Sequence, residues 1–119
     1  MTLDELREEL RRFADERDWQ QFHTPKNLVM ALAGEVGELT EIFQWLTPHE
    51  STIVMRTPQS AAHLREELSD VFGYLVRLAD VLEVDLLAAL QEKIRVNEQR
   101  YPVERAKGNA LKYTDLPRD

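Results

Sequence analysis

The chain contains no cysteine among its 119 residues. This absence excludes disulfide bonds, thiolate-bound zinc and iron–sulfur clusters, and a reducing compartment is compatible with it. Glycine and proline are also scarce, at four and five residues, which excludes collagen-like and low-complexity chains. With 43% apolar and 31% charged residues, the composition is that of a globular chain with one domain.

Long apolar runs and a surplus of basic residues are missing as well. No stretch approaches the ~18–20 apolar residues of a membrane helix, and the first residues lack the pattern of a secretory signal. The formal net charge of −7 opposes binding to a nucleic acid polymer. We therefore expect a cytoplasmic protein without membrane or nucleic-acid partners. An acidic protein also repels a polyanionic substrate unless a cation lies between them.

Apolar residues recur with helical periodicity in four segments, and no segment shows a sustained strand alternation. The first helix is predicted from Thr2 to about Arg17, with a capping box formed by Thr2 and Glu5. The second helix is predicted to begin at the N-cap Thr24 and to end before Pro48.

Two further helices follow a predicted loop at residues 47–58. Within that loop, residues 53–55 are predicted to form a short strand-like or packed piece. The third helix is predicted over residues 59–82, and the fourth runs from the N-cap Asp85 to its end at Pro102.

These segments predict an all-α, four-helix-bundle-like fold. Residues 1–102 are expected to form a single helical domain. The mixed charge, Gly108 and Pro117 of residues 103–119 indicate a C-terminal arm or flexible tail.

Acidic residues fall on the apolar faces of the second and third helices. At about 100° per residue, Glu35 lies near the centre of the second helix's stripe and Glu38 at its edge. On the third helix, Glu67 lies just inside the edge of the stripe, and Asp70 continues along that edge. Since residues three apart lie about 5–6 Å apart at Cβ, each pair of acids can converge on one point.

Four carboxylates facing each other across two packed helices would repel strongly. The same helical count turns Lys26, Arg65 and Arg77 away from these faces, so no cation of the chain neutralises the acids. A divalent cation removes the conflict, and ligands that are all oxygen favour Mg²⁺, with Mn²⁺ as a substitute, over zinc or copper. Glu41 and Glu66 point further toward solvent and are interpreted as surface residues.

The same acids are compatible with two alternatives to this metal site. A di-iron carboxylate bundle requires Glu-x-x-His motifs, but none of His23, His49 and His63 lies three residues after a helical Glu. The second alternative is a non-catalytic helical dimerisation or nucleotide-binding module with structural carboxylates. A single Glu-x-x-Glu pair is usually a solvated helix face, whereas two acid pairs displaced into the apolar stripes of consecutive helices favour a metal site.

Aromatic side chains cluster around the same positions. Trp19 and His23 precede the second helix, Trp45 lies near its end, and Tyr74 follows Asp70 by one turn. Flat side chains beside a metal–phosphate site would stack on a nucleobase, although Trp more often packs in cores and interfaces.

One edge of the fourth helix carries Lys93, Asn97 and Arg100. Taken alone, these side chains are better interpreted as a solvated basic flank. Beside a magnesium site they favour binding of phosphate oxygens, which Arg grips with two parallel hydrogen bonds and Lys contacts as a point charge.

The motifs resemble those of the MazG-like, all-α nucleoside triphosphate pyrophosphohydrolases, and the likeness is closer to the dCTP pyrophosphatase branch. The resemblance covers nearly the whole chain. The stretches that carry it are Glu35-x-x-Glu38, Glu67-x-x-Asp70, Trp19-x-x-Phe22-His23, Phe43-Gln44-Trp45, Asn97-x-x-Arg100-Tyr101-Pro102 and Lys112-Tyr113-Thr114.

The resemblance implies Mg²⁺-dependent hydrolysis of a (deoxy)nucleoside triphosphate, dCTP or a modified dCTP, to the monophosphate and pyrophosphate. It also implies a homodimer or homotetramer. Leu10 occupies a place where relatives of the dCTP branch carry a histidine. By analogy, Glu35, Glu38, Glu67 and Asp70 hold the metal, Trp19, His23, Trp45 and Tyr74 contact the base or sugar, and Lys93, Asn97 and Arg100 contact the phosphates. We take Glu38 as the general base toward the attacking water, since it lies at the edge of the apolar stripe.

Overall fold

The computed structural model describes residues 1–117, and every regular element among them is helical, which confirms the all-α prediction. Within those residues, no helix combines the length and apolar character that crossing a membrane requires. The α-helices are α1 (Leu3–Glu16), α2 (Pro25–Phe43), α3 (Pro48–Thr52), α4 (Pro58–Val81), α5 (Leu86–Arg100) and α6 (Val103–Ala106), and 3₁₀ turns cover Gln20–Phe22, Val54–Arg56 and Tyr113–Asp115.

The helix starts follow the capping signals in the sequence. Thr2 and Glu5 form the predicted capping box, with the Glu5 N–H donating to Thr2 Oγ1 at 3.1 Å. Thr24 caps α2 by accepting from the Asn27 N–H at 3.2 Å, and Asp85 caps α5. Each side chain satisfies an N–H that has no partner within its helix, so the predicted starts of these helices are confirmed.

The segment predicted as a loop at residues 47–58 contains helical structure instead. A second capping box starts α3, because Thr47 Oγ1 accepts from the Glu50 N–H at 3.1 Å and the Glu50 carboxylate accepts from the Thr47 N–H at 2.8 Å. Val54–Arg56 then form a 3₁₀ turn that packs against α4, so the strand-like alternative is wrong and the packed one is confirmed. The two prolines misled the prediction, since Pro48 and Pro58 occupy first positions of helices, where no N–H is needed.

The described residues form two compact units, one of Met1–Val84 and one that begins at Asp85. In the first unit, α2 and α4 pack along each other and α1 packs against α4. The second unit contains α5, α6 and the last 3₁₀ turn, so residues 103–117 of the predicted arm include helical structure. The four-helix bundle and the domain of residues 1–102 stay predictions. The buried apolar residues of the first unit are Ala14, Leu28, Ala61, Leu64, Val76 and Ala79.

A network of charged residues joins α1 to α4 in the first unit. The Asp80 carboxylate accepts hydrogen bonds from Arg11 of α1 and from Arg77 of its own helix, with Nε–Oδ2 and Nη1–Oδ2 distances of 3.0 Å each. Arg7 Nε lies 3.8 Å from the same carboxylate, whose side chain is only 8% exposed. The hydrogen bond from Arg11 holds the pKa of Asp80 below its usual value. The ionised carboxylate is therefore bound by cations on both helices.

Replacing Asp80 with Asn should lower the free energy of unfolding by about 3 kcal/mol, because it leaves buried Arg77 without its anionic partner. The pKa of Asp80 is lower in the folded state than in the unfolded state. The ionised carboxylate therefore contributes fully to the free energy of unfolding above the unfolded pKa of about 3.9, and this contribution is lost as the pH falls through the pKa of the folded state. Urea unfolding from pH 7 to pH 3 measures both effects. Glu66→Gln, an exposed change on α4, is the control, and equal stabilities of the two variants at pH 7 would contradict the role of Asp80.

Candidate metal centre and adjoining pocket

One face of α4 organises the candidate site. Glu67, Asp70, Tyr74 and Arg77 follow one another at intervals of three or four residues, so they form a row that turns gradually around α4 and ends at Arg77, ten residues from Glu67. The packed helix α2 contributes further acids to the end of this face that carries Glu67. The face therefore passes from carboxylates through an aromatic ring to a guanidinium.

Three of the four predicted metal ligands come together between α2 and α4. One carboxylate oxygen from each of Glu35, Glu38 and Glu67 lies within 4.8 Å of the other two. Glu67 is buried, Glu35 is half-buried and Glu38 is exposed. Among residues 1–117, the Oε2 atoms of Glu35 and Glu67 are buried and have no hydrogen-bond partner. Buried carboxylate oxygens are costly without a partner, so these two atoms are positions where a ligand would be favourable.

The acids of this cluster disfavour one another's ionised forms. Burial raises the pKa of Glu35, and the hydrogen bond to Glu38 and its charge raise it further. Burial also raises the pKa of Glu67, again followed by the hydrogen bond to Glu38 and its charge. A divalent cation would reverse the balance by favouring the ionised carboxylates. The donor set consists of oxygen alone, which fits Mg²⁺ or Mn²⁺.

The fourth predicted ligand, Asp70, does not belong to this close group. It is exposed, one turn along α4, and its charge still raises the pKa of both Glu35 and Glu67. Its role as a ligand stays a prediction.

His63 also contacts the cluster, a contact that the sequence analysis did not predict. Its Nε2 lies 3.5 Å from Glu67 Oε1, and its side chain is largely exposed. The signal that could have found it is its position one turn before Glu67 on α4, because residues four apart on a helix are neighbours.

A pocket of about 270 Å³ is lined by Asp70, which lies one turn along α4 from Glu67 of the cluster. Trp19, His23 and Tyr74, three of the four residues predicted to contact the base or sugar, lie in its wall. The Trp19 ring is held edge-on against Phe13, with ring centroids 5.6 Å apart. Such a cleft, with aromatic walls and a few polar groups, is typical of a small-molecule site. The remaining lining residues are Leu10, Phe13, Ala14, Ser69, Asp70, Gly73 and Arg77.

The other predicted substrate residues lie outside this pocket. Trp45 follows the end of α2 and is 86% exposed. Lys93, Asn97 and Arg100 belong to α5 in the second unit, where the Arg100 guanidinium lies 4.8 Å from the centre of the Tyr113 ring. The substrate contacts of these four residues stay predictions.

The chain is similar to known proteins along most of its length. Residues 31–116 match the sequence profile of the MazG-like family. The chain is 53% identical over 117 residues to dCTP pyrophosphatase 1 of Rattus norvegicus, a match that covers 98% of this chain and 69% of the rat protein. It is 50% identical over 116 residues to dCTP pyrophosphatase 1 of Homo sapiens, covering 98% of this chain and 68% of the human protein.

A solved structure supports the same relationship. The crystal structure of a pyrophosphatase from Archaeoglobus fulgidus DSM 4304 superimposes with a TM-score of 0.78 and 41% sequence identity. The match covers 83% of this chain and 91% of the archaeal chain.

Glu35→Gln removes one charge of the cluster while nearly preserving its shape. Because the pKa of Glu35 is higher in the folded state, its ionised form opposes folding at neutral pH, and the metal-free variant should melt at a higher temperature than the metal-free wild type. The difference in melting temperature should vanish below about pH 4.3, the pKa of a Glu side chain in the unfolded state, because Glu35 is then protonated in both states. Mg²⁺ or Mn²⁺ should raise the melting temperature of the wild type and leave that of Glu35→Gln nearly unchanged.

Differential scanning fluorimetry with and without each cation measures these shifts. Glu41→Gln, an exposed change on the same helix, is the matched control and should keep the rise in melting temperature on metal addition. A wild type whose melting temperature does not respond to either cation would contradict a metal site at this cluster.

Proposed function

The chain belongs to the MazG-like family, and we propose that it is a Mg²⁺-dependent pyrophosphohydrolase that cleaves dCTP or a modified dCTP to the monophosphate and pyrophosphate. Relatives at 50–53% identity are dCTP pyrophosphatases, and the related solved structure is a pyrophosphatase, so the chain is a nucleotide pyrophosphohydrolase rather than a non-catalytic module. The observation that carries the metal dependence is the pair of buried, unpartnered oxygens on Glu35 and Glu67.

The acid cluster supports a division of roles. Glu35 and Glu67 hold the cation with their buried oxygens, and Asp70 adds negative charge where the cluster meets the pocket. A bound cation would screen the triphosphate from a protein of net charge −7 and would stabilise the negative charge on the phosphate oxygens. Glu38 is the exposed member of the cluster, so a water molecule can reach it, and it takes the proton of the attacking water as general base.

The pocket supports a place for the base beside the reacting phosphates. Trp19 and Tyr74 offer aromatic faces or edges, and Asp70 lines the pocket while acting on the acid cluster. In this proposal His23 and Trp45 also contact the base or sugar. Lys93, Asn97 and Arg100 bind phosphate oxygens. The acidic composition supports a free nucleotide rather than a nucleic acid polymer as the partner, and the cytoplasm is the compartment we propose.

We also propose that the protein assembles as a homodimer or homotetramer. Large apolar side chains are exposed on the two central helices of the first unit, among them Met30 at 66% and Phe72 at 46%. The same is true of Leu87 and Leu90 on α5, at 61% and 60%. Soluble monomers seldom expose this much apolar surface, and a second copy of the chain would cover it.

The purified protein with Mg²⁺ should release pyrophosphate from dCTP, with the deoxycytidine monophosphate as the other product. A panel of common and 5-modified nucleoside triphosphates, scored by pyrophosphate release and chromatography of the products, defines the preferred base.

Glu38→Gln should lower kcat by about 10²–10⁴, the usual contribution of a general base, while Glu66→Gln, exposed on α4, should keep wild-type kcat. Release of orthophosphate instead of pyrophosphate, or full activity of Glu38→Gln, would contradict the proposal.

Phe72→Glu should shift the assembly toward smaller species, because it places a charge on apolar surface that a partner copy would bury. Light scattering coupled to size-exclusion chromatography measures the mass of the assembly. Gln99→Glu, which adds a charge at an exposed position on the side of α5 away from Leu87 and Leu90, is the comparison variant and should keep the wild-type mass. A wild type that elutes as a monomer of 13.9 kDa would contradict assembly altogether.

A further inference from the structure

A buried arginine in the pocket wall hydrogen-bonds to the pocket histidine. Arg77 Nε lies 3.1 Å from His23 Nδ1, with Arg77 only 6% exposed and His23 half-buried. A guanidinium has donors and no acceptor, so Nδ1 must accept this hydrogen bond and cannot carry a proton. The ring proton of neutral His23 is therefore on Nε2.

The position of Arg77 is itself fixed. Its Nη1 donates to Asp80 Oδ2 at 3.0 Å, and Asp80 is held in turn by Arg11 from α1. A planar guanidinium with one edge bound to a carboxylate and Nε directed at an imidazole has little freedom to turn. Burial lowers the pKa of His23, and the charge of Arg77 lowers it further, so the ring is neutral at neutral pH.

The second ring nitrogen of His23 is left to act on a ligand. Among residues 1–117, the side chain of His23 makes one hydrogen bond, through Nδ1. Nε2 makes none and is not fully buried, so a ligand can reach it. The ring lines the pocket beside Trp19, with ring centroids 6.4 Å apart, and Tyr74 lies in the same wall. The Nε2–H of His23 thus lies beside the aromatic residues of the pocket.

We propose that Arg77 is a positioning residue that fixes His23 as the Nε2–H tautomer, so that His23 donates a hydrogen bond to an acceptor atom on the edge of the bound base. The acceptor is a ring nitrogen or a carbonyl oxygen, both of which cytosine carries. The base contact rests on the proposed function, whereas the tautomer is a property of the free protein. Arg77 therefore acts by orienting His23 and does not itself contact the nucleotide.

The tautomer is tested without nucleotide or metal. Long-range ¹H–¹⁵N correlation spectra of the ¹⁵N-labelled protein at neutral pH distinguish protonated from unprotonated ring nitrogens. In the wild type, His23 should show an unprotonated Nδ1 and a protonated Nε2, and Arg77→Met should give a mixture of tautomers. A wild-type spectrum with a protonated Nδ1, or an unchanged His23 pattern in Arg77→Met, would overturn the proposal.

The base contact is tested by steady-state kinetics with dCTP and Mg²⁺. Arg77→Met should raise KM about tenfold, equivalent to about 1.4 kcal/mol, while changing kcat far less. In a His23→Ala background, Arg77→Met should raise KM no further, because the two residues act as one unit. Arg11→Gln is the matched control, since it weakens the binding of Asp80 but leaves the Arg77–His23 contact, and it should lower the melting temperature without raising KM.

Arg77→Met retains Arg7 and Arg11 around Asp80, which favours folding of the variant. If it does not fold, Arg77→Lys keeps the charge but lacks the planar fork that directs Nε at His23, and it should give the same rise in KM. An additional KM effect of Arg77→Met in the His23→Ala background would overturn the proposal by showing a direct contact. A wild type that hydrolyses no nucleotide overturns the proposed function, whereas an active wild type whose KM is unchanged by Arg77→Met overturns the inference alone.

Discussion

The repulsion between acids held together by α2 and α4 is the constraint on which the site depends. Packing of these helices brings oxygens of Glu35, Glu38 and Glu67 within 4.8 Å of one another. Burial of Glu35 and Glu67 raises the pKa of each, and two of their oxygens have no hydrogen-bond partner in the described part of the chain. The protein therefore has a region that is unfavourable by itself and that a bound cation would make favourable.

Helix α4 connects this region to everything else in the first unit. Its successive turns carry Glu67 in the acid cluster, Tyr74 in the pocket wall and Asp80 in the network that binds α1. Because an α-helix is rigid over such a length, the distance between the cluster and the pocket is set by the helical rise. The arginine network holds α1 against the same helix, and α1 supplies Leu10 and Phe13 to the pocket lining.

A local backbone feature brings the aromatic wall into place. Asp18 follows α1 in the left-handed conformation, with φ of 54°, and the Trp19 N–H returns to the Ala14 carbonyl at 2.9 Å. This pattern is a Schellman ending of the helix, and it turns the chain back over α1, where Trp19 meets Phe13. The 3₁₀ turn at Gln20–Phe22 then carries His23 to Arg77. A short irregular segment thus delivers two pocket residues whose positions no helical periodicity describes.

The amino-acid sequence by itself determined the helical fold, several helix starts and three members of the acid cluster. Capping boxes and apolar stripes act over three or four residues, so Thr2, Thr24 and Asp85 could be interpreted without knowledge of the fold. Only the tertiary structure decided which acids converge and that Asp70 lies apart from them. It also decided that Arg77 contacts His23, which lies 54 positions away in the chain. Helical periodicity gives the direction of a side chain around its own axis, whereas contacts between distant segments depend on how the helices pack and on the irregular turns that join them.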